Sequence, residues 1–221
     1  MPPQPAPFAE LAGSPDPPLD VLALALASEF RAVDVRTALA ALDGLGALLA
    51  EEIAGAGGPD GEVEACAALL GRRCGFAGDT ERYDDPRNSM LDAVLERRRG
   101  LPILLSVVYV EVARRAGVEL AGVGLPGHFV VGHFGATPAL LLDPFAAGAR
   151  IPPGRAEALV RPWRPHEIAM RMLNNLVGSF LRRGDIGRAI RAASMRLDLP
   201  AEESLRDSLR TELRTMQARL N

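Results

Sequence analysis

Among 221 residues there are three histidines, His128, His133 and His166, and two cysteines, Cys66 and Cys74. His128 opens the segment HFVVGHF, Asp143 closes ALLLD, and GATP lies between them. A hairpin through that turn places Phe134 opposite Ala139 and Val130 opposite Asp143. Residues facing each other across an antiparallel pair share one side of the sheet, and His128, two positions from Val130, shares it too. His128 and Asp143 are then diagonal neighbours, about 7 Å apart between backbones, within reach of a carboxylate–imidazole hydrogen bond. Such a pair orients a histidine that works as base in acyl transfer. The expectation depends on register, because a slip of one residue turns Asp143 to the other face.

A base of that kind needs a nucleophile. The segment PILLSVVYVEVARRA, Pro102 to Ala116, is apolar nearly all round until Glu111 and lies between a proline start and Gly117, which predicts a central, buried helix. A buried helix N-terminus offers unpaired N–H groups and a positive dipole end. A nucleophile on the turn at Gly100-Leu101-Pro102 would have its pKa lowered beside a ready oxyanion site. No Cys, Ser or Thr occupies positions 100 to 105. Ser106, one turn beyond Pro102 on the same face, is the nearest hydroxyl and the candidate nucleophile. The competing role, commoner for a serine inside an apolar helix, is a bond back to the preceding turn. Cys74, at a helix end beside Arg72 and Arg73, is the better thiolate candidate of the two cysteines, and Cys66 reads as small-residue packing. His133 is an odd number of positions from His128 and points to the opposite face, and His166 starts a later helix. No metal site and no cofactor are expected.

These groups must be positioned by the rest of the chain. Residues 1–18 are proline-rich with almost no periodic apolar residue and read as a loose tail. From Leu19 to about Ala54 the apolar residues recur at helical intervals until AGAGGPD, and a shorter helix fits Glu62 to Arg73. After the turn-rich FAGDTERYDDPR, Asn88 reads as the N-cap of SMLDAVLERRR, which Gly100 stops. Strands are expected at Glu119–Gly124, His128–Phe134 and Ala139–Asp143. A proline-rich connection, in which Trp163 anchors the chain, leads to helical patterns at about Glu167–Arg183, Asp185–Leu197 and Ala201–Leu220. The last three look like one and a half helical hairpins of tetratricopeptide type, which need a neighbour to bury their apolar face. The expected division is a tail over 1–18, a main domain over 19–160 and a helical extension over 161–221.

Composition narrows the chemistry. The chain is 48% hydrophobic with a formal net charge of −3, as for an ordinary soluble domain. All 25 basic residues are arginine, and without lysine neither Schiff-base nor P-loop chemistry is open to it. The start lacks a basic signal region, and its longest early apolar run, Val21 to Ala27, is too short to cross a bilayer, so a cytoplasmic protein without membrane contact is expected. The two cysteines form no CxxC pair, which argues against a disulfide scaffold. Residues 150–221 carry 14 arginines against eight acids, whereas the first 149 are strongly acidic. The basic C-terminal helices are therefore a candidate dock for an acidic protein partner, or for the N-terminal part of their own chain. No aromatic interleaving accompanies them, so nucleic acid is not expected.

Several short motifs recur together: Asn88-Ser89-Met90-Leu91 with Val94-Leu95, Arg98-x-Gly100-x-Pro102-Ile103, Gly124-x-Pro126-Gly127-His128-Phe129, Asp143-Pro144-Phe145 with Gly148, and RMLNNL from Arg171. In order and spacing the sequence resembles the transglutaminase-like superfamily, and more narrowly the SirB-type bacterial proteins of unassigned function, over roughly Leu19 to Pro200. The resemblance implies an α+β, papain-like core: a central buried helix packed on a small antiparallel sheet, with N-terminal helices and a C-terminal helical hairpin. It assigns His128 and Asp143 as catalytic and places Asn88, Arg98, Gly100, Pro102, Pro126, Gly127, Phe129 and Phe145 around a binding cleft. It also implies a cysteine on the first turn of the central helix, where this chain has Pro102. The expectation is a degenerate site in a binding or regulatory module. The alternatives are an amidohydrolase or acyltransferase using His128 with Ser106, Cys74 or water, and a scaffold that binds through its helical tail.

Overall fold

The structure is a computed structural model that describes residues 6–152 and 160–219. Part of the expected loose tail is ordered: Phe8–Ala12 forms a short helix, α1, with Phe8 and Ala12 both 1% exposed. Two apolar residues four apart suffice because the neighbouring helix supplies the rest of the core. Residues 1–5 lie outside the described residues.

The continuous helical pattern from Leu19 to Ala54 is two helices, α2 (Leu19–Ser28) and α3 (Val35–Ile53). Asp34 makes the break, its carboxylate accepting the Thr37 N–H at 3.1 Å as the N-cap of α3. α2 is buried from Leu22 to Ala27, whereas α3 buries one stripe, Ala38, Leu42, Gly46 and Leu49. Helix α4 (Pro59–Cys66) continues into a π-helical stretch, Ala67–Arg73. A two-residue strand β1 (Ala77–Gly78) pairs in parallel with β2 (Arg99–Gly100), and between them runs α5 (Leu91–Arg97). Asn88 does not cap α5, whose N-cap is Met90. It belongs to the preceding 3₁₀ turn, Pro86–Ser89, and is wholly buried. There its side-chain amide donates to the Arg82 carbonyl at 2.7 Å and its side-chain carbonyl accepts from Arg97 at 3.0 Å.

The central helix α6 (Pro102–Arg115) follows β2 directly and is buried from Ile103 through Tyr109. It packs on an antiparallel meander of β3 (Leu120–Leu125), β4 (His128–His133), β5 (Leu140–Asp143) and β6 (Ala149–Ile151). β4 and β5 pair Val131 with Leu142, Gly132 with Leu141 and His133 with Leu140, the register set by the GATP turn. β6, too short for a period-two signal, was not expected.

The last helices are α7 (Pro165–Arg182), α8 (Ile186–Met195) and α9 (Glu203–Gln217). The helical extension expected from residue 161 packs on the main domain. Ile168, Met172, Leu173 and Leu176 of α7 belong to the same apolar core as α2 and α6. The architecture is α+β, as the sequence indicates.

Candidate functional site

β4 and β5 bring His128 and Asp143 together, with Nε2 2.9 Å from Oδ2. The other carboxylate oxygen, Oδ1, accepts the Phe145 N–H at 2.9 Å and the Ala146 N–H at 3.4 Å, so Asp143 also caps the 3₁₀ turn Pro144–Ala146. With Asp143 acting as acceptor on both oxygens, a neutral His128 carries its proton on Nε2 and keeps the Nδ1 lone pair. The ring is a third exposed, and no residue among those described hydrogen-bonds to Nδ1. Pro126 and Gly127 form the exposed two-residue turn just before it, with Gly127 in the left-handed region at φ 71°.

The nucleophile side is different. Pro102 stands at the first position of α6. Ser106 is 1% exposed, and its hydroxyl donates to the Pro102 carbonyl at 2.8 Å, the back-bonding role an apolar helix favours. Cys66 is fully buried, and burial, reinforced by Glu62, pushes its thiol up to about 12. Cys74, half-buried at the end of the π-helical stretch, has its carbonyl tied to Arg98 at 2.9 Å. Neither cysteine nor Ser106 hydrogen-bonds to His128. In the native protein at neutral pH a thiol-disulfide reagent is therefore expected to titrate Cys74 alone, with Cys66 appearing only on denaturation. Rapid reaction of both would contradict this burial.

Several of the residues expected around the cleft hold the frame. Arg98 takes the left-handed position that ends α5, at φ 55°, with its guanidinium on the Cys74 carbonyl. Gly100 is buried in β2, and Asn88 accepts the Leu101 N–H at 2.9 Å, fixing the start of α6. Phe129 is buried, and Phe145 packs against Gly78, where any Cβ would overlap its ring. His133 points away from His128, its Nε2 2.7 Å from Glu62 and its Nδ1 accepting the Gly135 N–H at 3.1 Å. His166 lies 3.1 Å from the Ala12 carbonyl. Among the described residues no three His, Cys, Asp or Glu side chains gather as metal ligands. None of the described helices is long and apolar enough to cross a membrane.

Three further side chains pack around these strands and the turn that follows them; of these the sequence assigns a role only to Trp163, as the anchor of its connection. Arg171 donates to the His128 carbonyl at 3.0 Å, its guanidinium 5.4 Å from the Phe129 ring centre and 5.8 Å from that of Trp163. Trp163 meets Phe129 edge-on at 5.3 Å and lies so close over Gly124 that no side chain fits there. Tyr83, exposed, meets Phe145 edge-on at 6.1 Å. The only sequence signal for Arg171 was its place in RMLNNL, on a helix, with nothing to indicate its distant neighbour.

A family model for the transglutaminase-like superfamily matches residues 36–176, from α3 into α7, including His128, Asp143 and Arg171. A UPF0162 protein of Xylella fastidiosa is 37% identical over 158 residues, covering 62% of this chain and 56% of that protein. One from Pseudomonas aeruginosa is 34% identical over 124 residues, covering 56% and 42%. Mouse F-box only protein 21 is 34% identical over 93 residues, 38% of this chain and 15% of its own length. The chain spans about half the length of the UPF0162 proteins it matches, and no solved structure matches it. With most of its length under that one model and the hairpin pairing of His128 and Asp143 in place, the chain belongs to the transglutaminase-like superfamily.

Proposed function

We propose that this domain is a binding or regulatory module that has kept the His–Asp half of an acyl-transfer site and uses it to hold a peptide-like ligand. The observation that supports it is at the start of α6: Pro102 takes the first position, where the resemblance implies a nucleophile, and Ser106, the nearest hydroxyl, is committed to the Pro102 carbonyl. His128 meanwhile stays open to solvent, fixed by Asp143, with Nδ1 available to a ligand donor. The narrower SirB-type kinship and the tetratricopeptide-like reading of α7 to α9 belong to the same proposal, as does a cytoplasmic setting, which two free cysteines suit. The basic C-terminal helices are a second contact surface, for an acidic protein partner. Arg182 pairs with Asp84 and Arg191 with Glu29, so part of that charge is answered within the chain.

The second reading is a hydrolase in which water is the nucleophile and His128 takes its proton at Nδ1, with Nε2–H held on Asp143. The observation in its favour is the partly exposed ring, whose Nδ1 has no hydrogen-bond partner among the described residues. An amide-hydrolysis and acyl-transfer screen of the wild type beside His128→Ala and Ser106→Ala separates the two. The expected result is no turnover that either substitution removes. Turnover abolished by His128→Ala would establish the hydrolase in place of the module.

A further inference from the structure

We infer that Arg171 is a carboxylate-recognition group: the ligand held at His128 bears a carboxylate that sits on the Arg171 guanidinium. The inference rests on the binding reading above and names the ligand class of that same site.

Three of the other arginines that are not exposed answer an acidic side chain: Arg97 meets Asp79 at 2.8 Å, Arg115 meets Asp20 at 2.6 Å, and Arg196 meets Glu212 at 2.8 Å. Arg206, also half-buried, meets two backbone carbonyls, those of Leu197 and Leu199. Arg171 is half-buried and meets no carboxylate among the described residues. Burial works against its charge. What holds it is one backbone carbonyl, that of His128, and the faces of Phe129 and Trp163. A guanidinium carries five N–H donors in a planar fork, and only one hydrogen bond is made here among the described residues. A desolvated cation with an unfilled fork is costly unless an anion completes it. The bond places that cation at the start of β4, 3.0 Å from the backbone of the residue whose imidazole Asp143 holds, and the ligand spans the two.

The chemistry of the surroundings selects the anion. Phe129 and Trp163 make the neighbourhood aromatic, with the Arg171 guanidinium over both rings. One guanidinium balances one carboxylate in bidentate geometry, whereas a phosphate dianion would bring a second charge that these rings leave uncompensated. Two sources share the carboxylate: a peptide C-terminus and an acidic side chain.

Trp163 is the chain's single tryptophan, so its indole N–H is one unambiguous NMR signal in contact with Arg171. At constant ionic strength the ¹⁵N-labelled protein is titrated with acetyl-Ala-Ala as free acid, with acetyl-Ala-Ala amide, with acetyl-Glu amide and with inorganic phosphate. At least one of the two carboxylate peptides should shift the indole signal saturably, and the tighter of them identifies the source. The alanine amide and phosphate should not do so. Arg171→Lys, which keeps the charge and loses the fork, should weaken the carboxylate at least tenfold. Equal binding of acid and amide, saturable binding of phosphate, no response to either carboxylate, or unchanged affinity in Arg171→Lys would each overturn the assignment. The acid–amide comparison needs no variant, so a misfolded Arg171→Lys does not spare it. Hydrolysis of a peptide in the same tube would overturn the binding reading instead, while binding without preference for the acid would leave that reading standing and remove Arg171 from it.

Discussion

Replacing Arg115 by methionine is expected to lower folding stability at pH 7 by about 3–5 kcal/mol, the usual penalty for removing one partner of a buried ion pair. Asp20 on α2 and Glu111 on α6 are 3% and 2% exposed. Arg115 answers both, at 2.6 Å and 2.8 Å, and reaches Asp43 on α3 at 2.6 Å. Without it two neighbouring carboxylates stay buried with only Arg114 for company. Arg114 touches Glu111 at 2.8 Å and Asp20 at 3.6 Å, but its side chain is 59% exposed, so it offsets part of the loss and favours the lower end of the range. Arg114→Met by itself should cost under about 1 kcal/mol, because exposed partners contribute little. Urea midpoints of the two variants measure the difference.

The pH dependence of the Arg115 variant tests the cause. Burial, then the charge of Asp20, already hold Glu111 above its usual 4.5. A carboxyl raised in the folded state adds stability below its unfolded value and loses that contribution as pH rises through the folded one. Removing Arg115 raises Glu111 further, so the deficit relative to wild type should shrink as pH falls from 7 toward 4.5. Carboxyls held low, such as Glu167 beside Arg161, act in the opposite sense in both proteins and cancel in the difference. A deficit that is absent at pH 7 or grows on acidification would show that Asp20 and Glu111 are not what Arg115 neutralises.

The parts of this molecule that were legible in the sequence are those whose signals are local. The hairpin register follows from the placing of the strands around the GATP turn, and from it comes the His128–Asp143 contact. The central helix follows from an apolar run with a proline start and a glycine stop. The break between α2 and α3 was hidden because the apolar period continues across it, and only the Asp34 cap marks it. Asn88 had the right residue type for a helix cap, but burial turned its amide to two other segments. Arg171 meets His128 across 43 positions, and no spacing rule reaches that far. The frame of the site was thus readable, while the cation beside it emerged only when α7 closed over β4.

Gly71→Ala should act where that frame is tightest. Added to an exposed helix interior, a methyl group stabilises by about 1 kcal/mol, and Gly44→Ala on α3, with nothing within 4 Å of the new atom, is expected to approach that gain. At Gly71 the sign reverses. A Cβ there would overlap the carbonyl oxygen of Ala147 and stand 3.1 Å from the Tyr109 hydroxyl. Neither neighbour has room to yield. Tyr109 is wholly buried in α6, and Ala147 sits in a left-handed turn closed by the Gly148 N–H on the Asp143 carbonyl at 2.8 Å. Overpacking of this kind costs about 1–3 kcal/mol, and relief requires the 144–148 loop to lift off the π-helical stretch. Asp143 is the first residue of that turn and caps it through Oδ1, so the lift should carry its carboxylate away from His128. Thermal melts should place Gly71→Ala below the wild type and Gly44→Ala above it. The ring resonances of His128 should lose the signature of a bound Nε2–H in the first variant and keep it in the second. If Gly71→Ala melted with Gly44→Ala and kept that signature, Asp143 would not depend on the loop's docking against the π-helical stretch.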